Sequence, residues 1–350
     1  MNMKKSLIAL AVLAASGASF AQVTITGNVI IGFEADHFGG GTQSYAAATN
    51  TNTVTNALPT DQSGLGGDTV ELYFNVSEDL GGGMKATAKL GLDTVARAGV
   101  VGGDTVLSLS GGFGTLTAAA VKGADYLSGG VAKVGGTGMD GKVFSARTSA
   151  ESLTYSYPFG AFTVSGAYIE PANTLGLAAG TSGTPGTYST TAFNGKGTQS
   201  EQQRAVRLSG NYKAGALVVD GGYATYDQQG TTVVANEVSD LRVAASYDLG
   251  VAQLGGGLNI RKRVGGTRTD YLVSAAVPVG ALTLGADFAS RQTADFTAVN
   301  SNGTITGYGL NVEYNLSKRT KAGVYYTNFK QAILDTENSS YTAVLLSHSF

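Results

Sequence analysis

Polar and apolar residues alternate along this chain with a period of two. From 23 to 33 the apolar set Val23, Ile25, Val29, Ile31 and Phe33 is interleaved with Thr24, Thr26 and Asn28. From 69 to 77, Val70, Leu72, Phe74 and Val76 alternate with Thr69, Glu71, Tyr73, Asn75 and Ser77. Near the end, Leu310, Val312, Tyr314 and Leu316 alternate with Asn311, Glu313 and Asn315. Successive side chains of an extended strand point to opposite faces, so residues of equal parity share a face. The pattern predicts strands with one apolar and one polar face, and no 3.6-period helical segment interrupts it.

Sixteen strands are predicted, at about 23–34, 68–78, 84–95, 104–111, 114–122, 151–157, 161–169, 201–212, 216–225, 240–248, 251–261, 269–277, 281–291, 304–316, 319–329 and 341–350. Some connections are tight, such as 78–83, 111–114, 158–160, 213–215, 248–250, 278–280 and 317–319. Others are long and rich in Gly, Ser, Thr and Asn: 36–67, 123–150, 170–200, 226–239 and 292–303. Short turns at one end and long loops at the other are the pattern of outer-membrane barrels.

Composition decides what the two faces meet. Charged residues make up 14% of the chain, against about 25% in soluble domains. A soluble sandwich would carry far more charge on its outer positions. Tyr155, Tyr157, Tyr212, Tyr247 and Tyr314 sit on the apolar face near strand ends, with Phe162 and Leu282 just past turns. That is where interfacial girdles belong. A sheet spans lipid only when it closes and pairs every backbone group, so strand 23–34 is predicted to pair with 341–350. The fold class is all-β: a transmembrane antiparallel barrel of 16 strands, with short periplasmic turns and long outer loops.

Residues 1–21 read as a secretory signal, and 22–350 as a single barrel domain. Lys4 and Lys5 precede the apolar run Leu7–Ala15, and Ser19-Phe20-Ala21 places small residues at −3 and −1 of a cleavage site. Without Lys4 and Lys5 the remainder holds 21 basic and 25 acidic residues, a net charge of −4. There is no cysteine, and His37 and His348 are the two histidines. This leaves little material for thiol chemistry, a histidine metal site or a catalytic triad. No enzyme activity, metal or cofactor is expected. Gly136-Thr137-Gly138-Met139-Asp140-Gly141 fits G-x-G-x-x-G, but no strand-then-helix unit surrounds it. The chain ends on Thr342, Val344, Leu346, His348 and Phe350 in outward alternation. Phe350 resembles the terminal signal read by the barrel-assembly machinery.

Three motifs carry a family resemblance. Ser77-Glu78-Asp79-Leu80-Gly81-Gly82-Gly83-Met84-Lys85-Ala86 resembles the S-E-D-L-G-G-G-L-K-A turn of Gram-negative general porins, the beta-proteobacterial type above all. Leu109-Ser110-Gly111-Gly112-Phe113-Gly114-Thr115-Leu116-Thr117 is similar to L-S-G-D-F-G-T-V-T, and Leu316-Ser317-Lys318-Arg319-Thr320 to L-S-K-R-T. The resemblance implies a homotrimer of sixteen-stranded barrels in outer-membrane lipid, passing ions and small hydrophilic solutes by passive diffusion. It implies a third outer loop, 123–150, folded into the pore. The family's arginines before the first motif and around the second are absent. Glu71 and Asn75 stand before the first, Ala118-Ala119-Ala120 follows the second, and Gly112 replaces its aspartate.

Parity places Glu71, Lys89, Arg207, Asp220, Arg242, Arg261, Asp287 and Glu313 inward. The loop adds Asp125, Lys133, Asp140, Lys142 and Arg147. The candidate pore-lining set is Glu71, Lys89, Asp125, Lys133, Asp140, Lys142, Arg147, Arg207, Arg242 and Arg261. Rings of such charge set ion preference through local potential. Arg207, Arg242 and Arg261 are predicted to form a basic ladder facing the loop acids Asp125 and Asp140. The alternative readings are a solvated outer loop at 123–150 and merely wetted lumen charges. A substrate-specific channel and a surface-displaying, adhesin-like barrel are the alternative functions. Nothing points to nucleic acid.

Overall fold

The computed structural model describes residues 21–39, 42–46, 51–55, 59–93, 100–122, 127–145, 149–171, 204–227, 237–295, 302–333, 335 and 337–350. Among these there are strands and no helix. In chain order the strands are β1 (Gln22–Phe38), β2 (Thr42–Ala46), β3 (Thr51–Thr55), β4 (Thr60–Gly81), β5 (Met84–Asp93) and β6 (Val101–Gly111). Next come β7 (Gly114–Lys122), β8 (Ser149–Phe159), β9 (Phe162–Pro171), β10 (Ala205–Ala214), β11 (Leu217–Tyr226) and β12 (Glu237–Asp248). The last are β13 (Gln253–Arg263), β14 (Gly266–Val279), β15 (Leu282–Ala294), β16 (Gly303–Asn315), β17 (Thr320–Phe329) and β18 (Ser339–Ser349).

β1 and β4–β18 form one closed antiparallel barrel of sixteen strands. β1 closes the circle by pairing with β18, from Asn28↔Ser349 to His37↔Ser340, as the sequence predicts. At the seam Phe350 and Gly27 exchange both backbone hydrogen bonds at 3.1 Å. Every barrel strand therefore has two neighbours, and no edge is left for lipid to meet. β2 and β3 form a separate hairpin. Sequence alternation fades beyond residue 34, yet β1 and β4 stay paired up to Phe38↔Thr60. Ladder bonds need only backbone, so they continue through a Gly/Ser/Thr-rich stretch whose faces carry no apolar signal.

The tight turns use residues suited to them. Gly81, Gly82 and Gly83 take φ of 77°, 61° and 79°, a region that costs glycine nothing. In the 317–319 turn, Ser317 Oγ accepts the N–H groups of Arg319 and Thr320 at 3.1 and 3.0 Å.

Parity sets the two faces. Val206, Leu208, Val273, Leu284, Leu310 and Val344 point outward and are exposed on the isolated chain. An apolar surface of that extent has its counterpart in hydrocarbon, not water. Tyr155, Tyr157, Tyr247 and Tyr314 are exposed on the same face, and Tyr212 packs on Phe162 with ring centroids 4.6 Å apart. The fully buried apolar residues lie elsewhere, on the inner side, where a loop meets the wall.

Candidate constriction site

The segment 127–145 follows β7 and lies against the inner face of β12–β17. It is first folded on itself. Ser128 Oγ accepts the N–H of Met139, and that of Asp140 at 3.2 Å. Lys142 and Phe144 both donate to the Met139 carbonyl, at 3.2 and 2.9 Å.

A row of polar contacts then fixes it to the wall. Val134 N–H donates to Ser274 Oγ at 2.9 Å, and that hydroxyl donates to the Ala132 carbonyl at 2.6 Å. Gly136 N–H reaches Asn311 Oδ1 at 2.8 Å, and Gly138 N–H reaches Asp287 Oδ2 at 2.9 Å. Thr327 Oγ1 donates to Thr137 Oγ1 at 2.7 Å. Each bond satisfies a polar group that loop and wall would otherwise bury unpaired.

Between these bonds lies a small apolar core. Leu127, Ala132, Met139, Val143 and Phe144 of the loop pack with Ala244, Leu272, Ala289, Ile305 and Phe329 of the wall, all buried. Apolar groups on the inner face of a water-filled barrel feel the hydrophobic effect, unlike those facing lipid. Burying a side chain the size of Phe144 contributes about 1.5–3 kcal/mol to seating the loop.

Glycine makes the close approach possible. A Cβ on Gly255 would lie 2.1 Å from the Ala132 oxygen, and one on Gly309 would lie 2.1 Å from Thr137 Oγ1. On the loop side, Gly136 takes φ of 83°, and its Cβ would fall 2.2 Å from the Asp287 carboxyl carbon. Of the G-x-G-x-x-G match, Gly136 thus serves close packing, while Gly138 and Gly141 supply positive φ of 81° and 72° to the loop's turns.

A network of arginines and acids flanks the seat. Arg261 is bound to Asp240 through Nε (3.1 Å) and Nη2 (2.8 Å), and its Nε lies 3.0 Å from Glu237. Arg291 instead engages both oxygens of Asp270, Nε on Oδ1 at 2.7 Å and Nη2 on Oδ2 at 3.1 Å. Arg263 Nη2 reaches Glu237 at 3.0 Å. Arg268 and Arg291 each donate an Nη1 hydrogen to Ser145 Oγ, at 3.3 and 3.2 Å.

The sequence-predicted residues fall as follows. Asp125 and Arg147 lie outside the described residues, as does the segment 1–20. Lys133, Asp140 and Lys142 are on the seated loop. Lys142 Nζ donates to the Gly138 carbonyl at 3.2 Å and lies 5.2 Å from the centre of the Tyr341 ring. Burial lowers the Lys142 pKa below the ordinary 10.5, and Asp287 opposes the shift. Glu71 and Lys89 stand on β4 and β5, away from the loop seat. Lys89 Nζ lies 3.8 Å over the Tyr73 ring, and Glu71 is directly opposite Asp93.

Arg207, Arg242 and Arg261 share the inner face, but not as an unbroken basic ladder. One lateral row runs Arg207, Ala224, Asp240, Arg261, Arg268, and the next holds Gly222, Arg242, Asn259, Asp270, Arg291. Asp240 and Asp270 stand among these bases and offset their mutual repulsion, including that of the directly opposed Arg261 and Arg268. Asp287 holds the loop, while Glu313 pairs with Lys321 at 2.9 Å and accepts from Tyr325 at 2.7 Å. Glu237, Asp240, Arg263, Arg268, Asp270 and Arg291 were not among the predicted set. Asp240 has the parity of Arg242, and Arg291 that of Asp287, so alternation alone assigns them to the same face.

A closed sixteen-strand barrel with an apolar outside, a polar inside and a loop seated within defines an outer-membrane channel. The chain belongs to the Gram-negative porin family, whose model matches residues 7–332. It is 30% identical to the outer membrane porin protein 32 of Delftia acidovorans over 353 residues, covering 91% of this chain and 87% of that one. Among solved structures, an anion-selective porin from Comamonas acidovorans superposes with a TM-score of 0.62 at 21% identity, over 94% of this chain and 100% of the other. A loop-deleted variant of OmpT from Vibrio cholerae gives 0.57 at 14% identity, over 94% and 99%. At these identities the structural likeness is one of fold. The protein is an outer-membrane porin, a channel for passive diffusion.

Proposed function

We propose that the segment 127–145 is the constriction of this channel, and that the charges around it select among ions and small hydrophilic solutes moving down their gradients. The observation that carries the reading is the sealed contact between the segment and β12–β17, with its apolar core and its ring of hydrogen bonds. A segment held this way on the inner face narrows the water path at a fixed place. Lys133, Asp140 and Lys142 then stand on one side of the passage, and Glu71 and Lys89 on the other. Arg207, Arg242 and Arg261 lie along the wall beside the seat.

The assembled state we infer is a homotrimer, in keeping with the family resemblance. The small outward residues Ala86, Ala88 and Ala322 are candidates for the flat contact between copies, whereas Gly27, of the same parity set, lies buried beneath the Phe350 ring. Residues 1–21 act as a cleaved export signal, and Phe350 as the terminal mark for the barrel-assembly machinery. N-terminal sequencing of protein from outer membranes is expected to begin at Gln22.

The test of the channel reading is conductance across a planar bilayer. Refolded barrel adds stable ohmic steps in KCl. Removal of residues 128–144, bridged by Gly-Ser, enlarges those steps. Steps of unchanged size in the deletion variant would place the narrowest point elsewhere.

A further inference from the structure

Resting on the reading of 127–145 as the constriction, we infer that Arg268 and Arg291, oriented by Asp270, are positioning residues that set the aperture by holding Ser145, and do not choose which ion passes. The geometry is a shared clamp. Arg291 uses Nε and Nη2 on the two Asp270 oxygens, which leaves Nη1 free to reach Ser145 Oγ at 3.2 Å. Arg268 approaches the same hydroxyl at 3.3 Å, and its Nε lies 4.0 Å from the same carboxylate. Two guanidinium groups on adjacent strands thus converge on one loop hydroxyl and one wall acid.

The planar fork of arginine suits this task. Its donors are fixed in direction, so pinning two of them on a carboxylate also aims the third. Phe144, next to Ser145, packs its ring 5.6 Å from the Arg291 Cζ and is itself buried. Ser145 therefore ends the segment where polar clamp and apolar core meet.

The same geometry keeps these charges from the water path. The Asp270 side chain is fully buried, and those of Arg268 and Arg291 are 9% and 11% exposed. Arg291, bound face to face with that carboxylate, presents a dipole to a passing ion, and Arg268, which leaves the cluster one net positive charge, is withdrawn from the water path by its burial. The field of the Arg291–Asp270 pair falls off faster than that of an unpaired arginine.

Single-channel recording separates aperture from ion choice. The proteins are wild type, Ser145→Ala, Arg268→Gln and the neutral pair Asp270→Asn/Arg291→Gln. Each is first confirmed as a folded barrel by its heat-shifted mobility in gels. The double change guards against stranding one buried charge, which by itself destabilises strongly. Conductance and open-channel noise are expected to rise in all three variants. The K⁺/Cl⁻ permeability ratio and the barrel melting temperature of Ser145→Ala and Arg268→Gln are expected to stay at wild-type values. Wild-type conductance and noise in both Ser145→Ala and Arg268→Gln would overturn the clamp. So would a shifted permeability ratio in Arg268→Gln at unchanged conductance, because the arginine would then face ions. Absence of conductance from folded wild-type barrel would instead overturn the reading of the segment as a constriction in an open channel.

Discussion

Lys142 shows how a single side chain reports on the seat. Its amine is buried between loop and wall and donates a hydrogen bond to the Gly138 carbonyl at 3.2 Å. Burial disfavours the ammonium, so the seated pKa lies below the 10.5 of the unseated lysine. The penalty on seating is full below the lowered pKa and fades as pH rises through it towards 10.5. Open-channel noise is therefore expected to fall on moving from neutral to alkaline pH, and Lys142→Met is expected to abolish that drift. An identical drift in Lys142→Met would assign it to another group. At this scale the sequence was partly legible. Parity alone assigns Arg242, Arg261 and Asp287 to the inner face, and the same rule extends to Asp240 and Arg291. Which of them pair is another matter, because it depends on register across β12–β15, and a shift of one residue exchanges every partner. Gly255 and Gly309 illustrate the complementary difficulty. A missing side chain carries no chemistry of its own, and its purpose appears only when Ala132 and Thr137 arrive over it.

Among the elements, the barrel strands were the most readable, since lipid imposes a rule on every second residue. β15 pairs Leu284 with Val277 and Val312, all three exposed on the outer face, while Thr283 faces inward beside Glu313. Leu284 lies one outward position inside the Leu282–Tyr314 girdle level, and Leu284→Lys is expected to lower barrel stability by about 1–2 kcal/mol, between the interfacial and midplane costs. Thr283→Lys is expected to cost much less. Urea unfolding in lipid vesicles measures both, and equal losses would contradict the assigned parity. The upper ends of β1 and β4, and the β2–β3 hairpin, were less readable. Beyond the apolar band neither face needs a hydrophobic residue, so the signal ends while the hydrogen-bond ladder continues. The segment 123–150 was recognisable as a long third loop. Its seat was not, because the wall residues that hold it lie between 123 and 190 positions away along the chain.

Across the whole molecule, the inner charges are segregated. The wall of β10–β15 concentrates the arginines, several of them bound to Glu237, Asp240 and Asp270 and close to the loop. The wall of β1 and β4–β6 carries Glu34, Asp36, Glu71, Asp93 and Asp104 on its inner side. The bases near it include Lys89, over Tyr73, Lys122, 3.9 Å from Asp93, and Lys142 of the loop, which feels the charge of Asp36. Ion choice follows charge that borders the water path, not net charge. The zero-current potential in a KCl gradient is accordingly expected to report cation preference, lessened in Glu71→Gln/Asp93→Asn. Anion preference would mean that Lys133 and Arg207 dominate. The Comamonas relative of the same fold is described as anion-selective, so shared architecture need not mean shared sign. The position of the seat also has a consequence in time. Residues 127–145 emerge long before β13–β17, which supply most of the surface they rest on. Joining ends so far apart is entropically costly until the intervening strands are in place. The narrowing is thus a late event of folding, and a barrel caught just before it would be briefly wider than the finished channel.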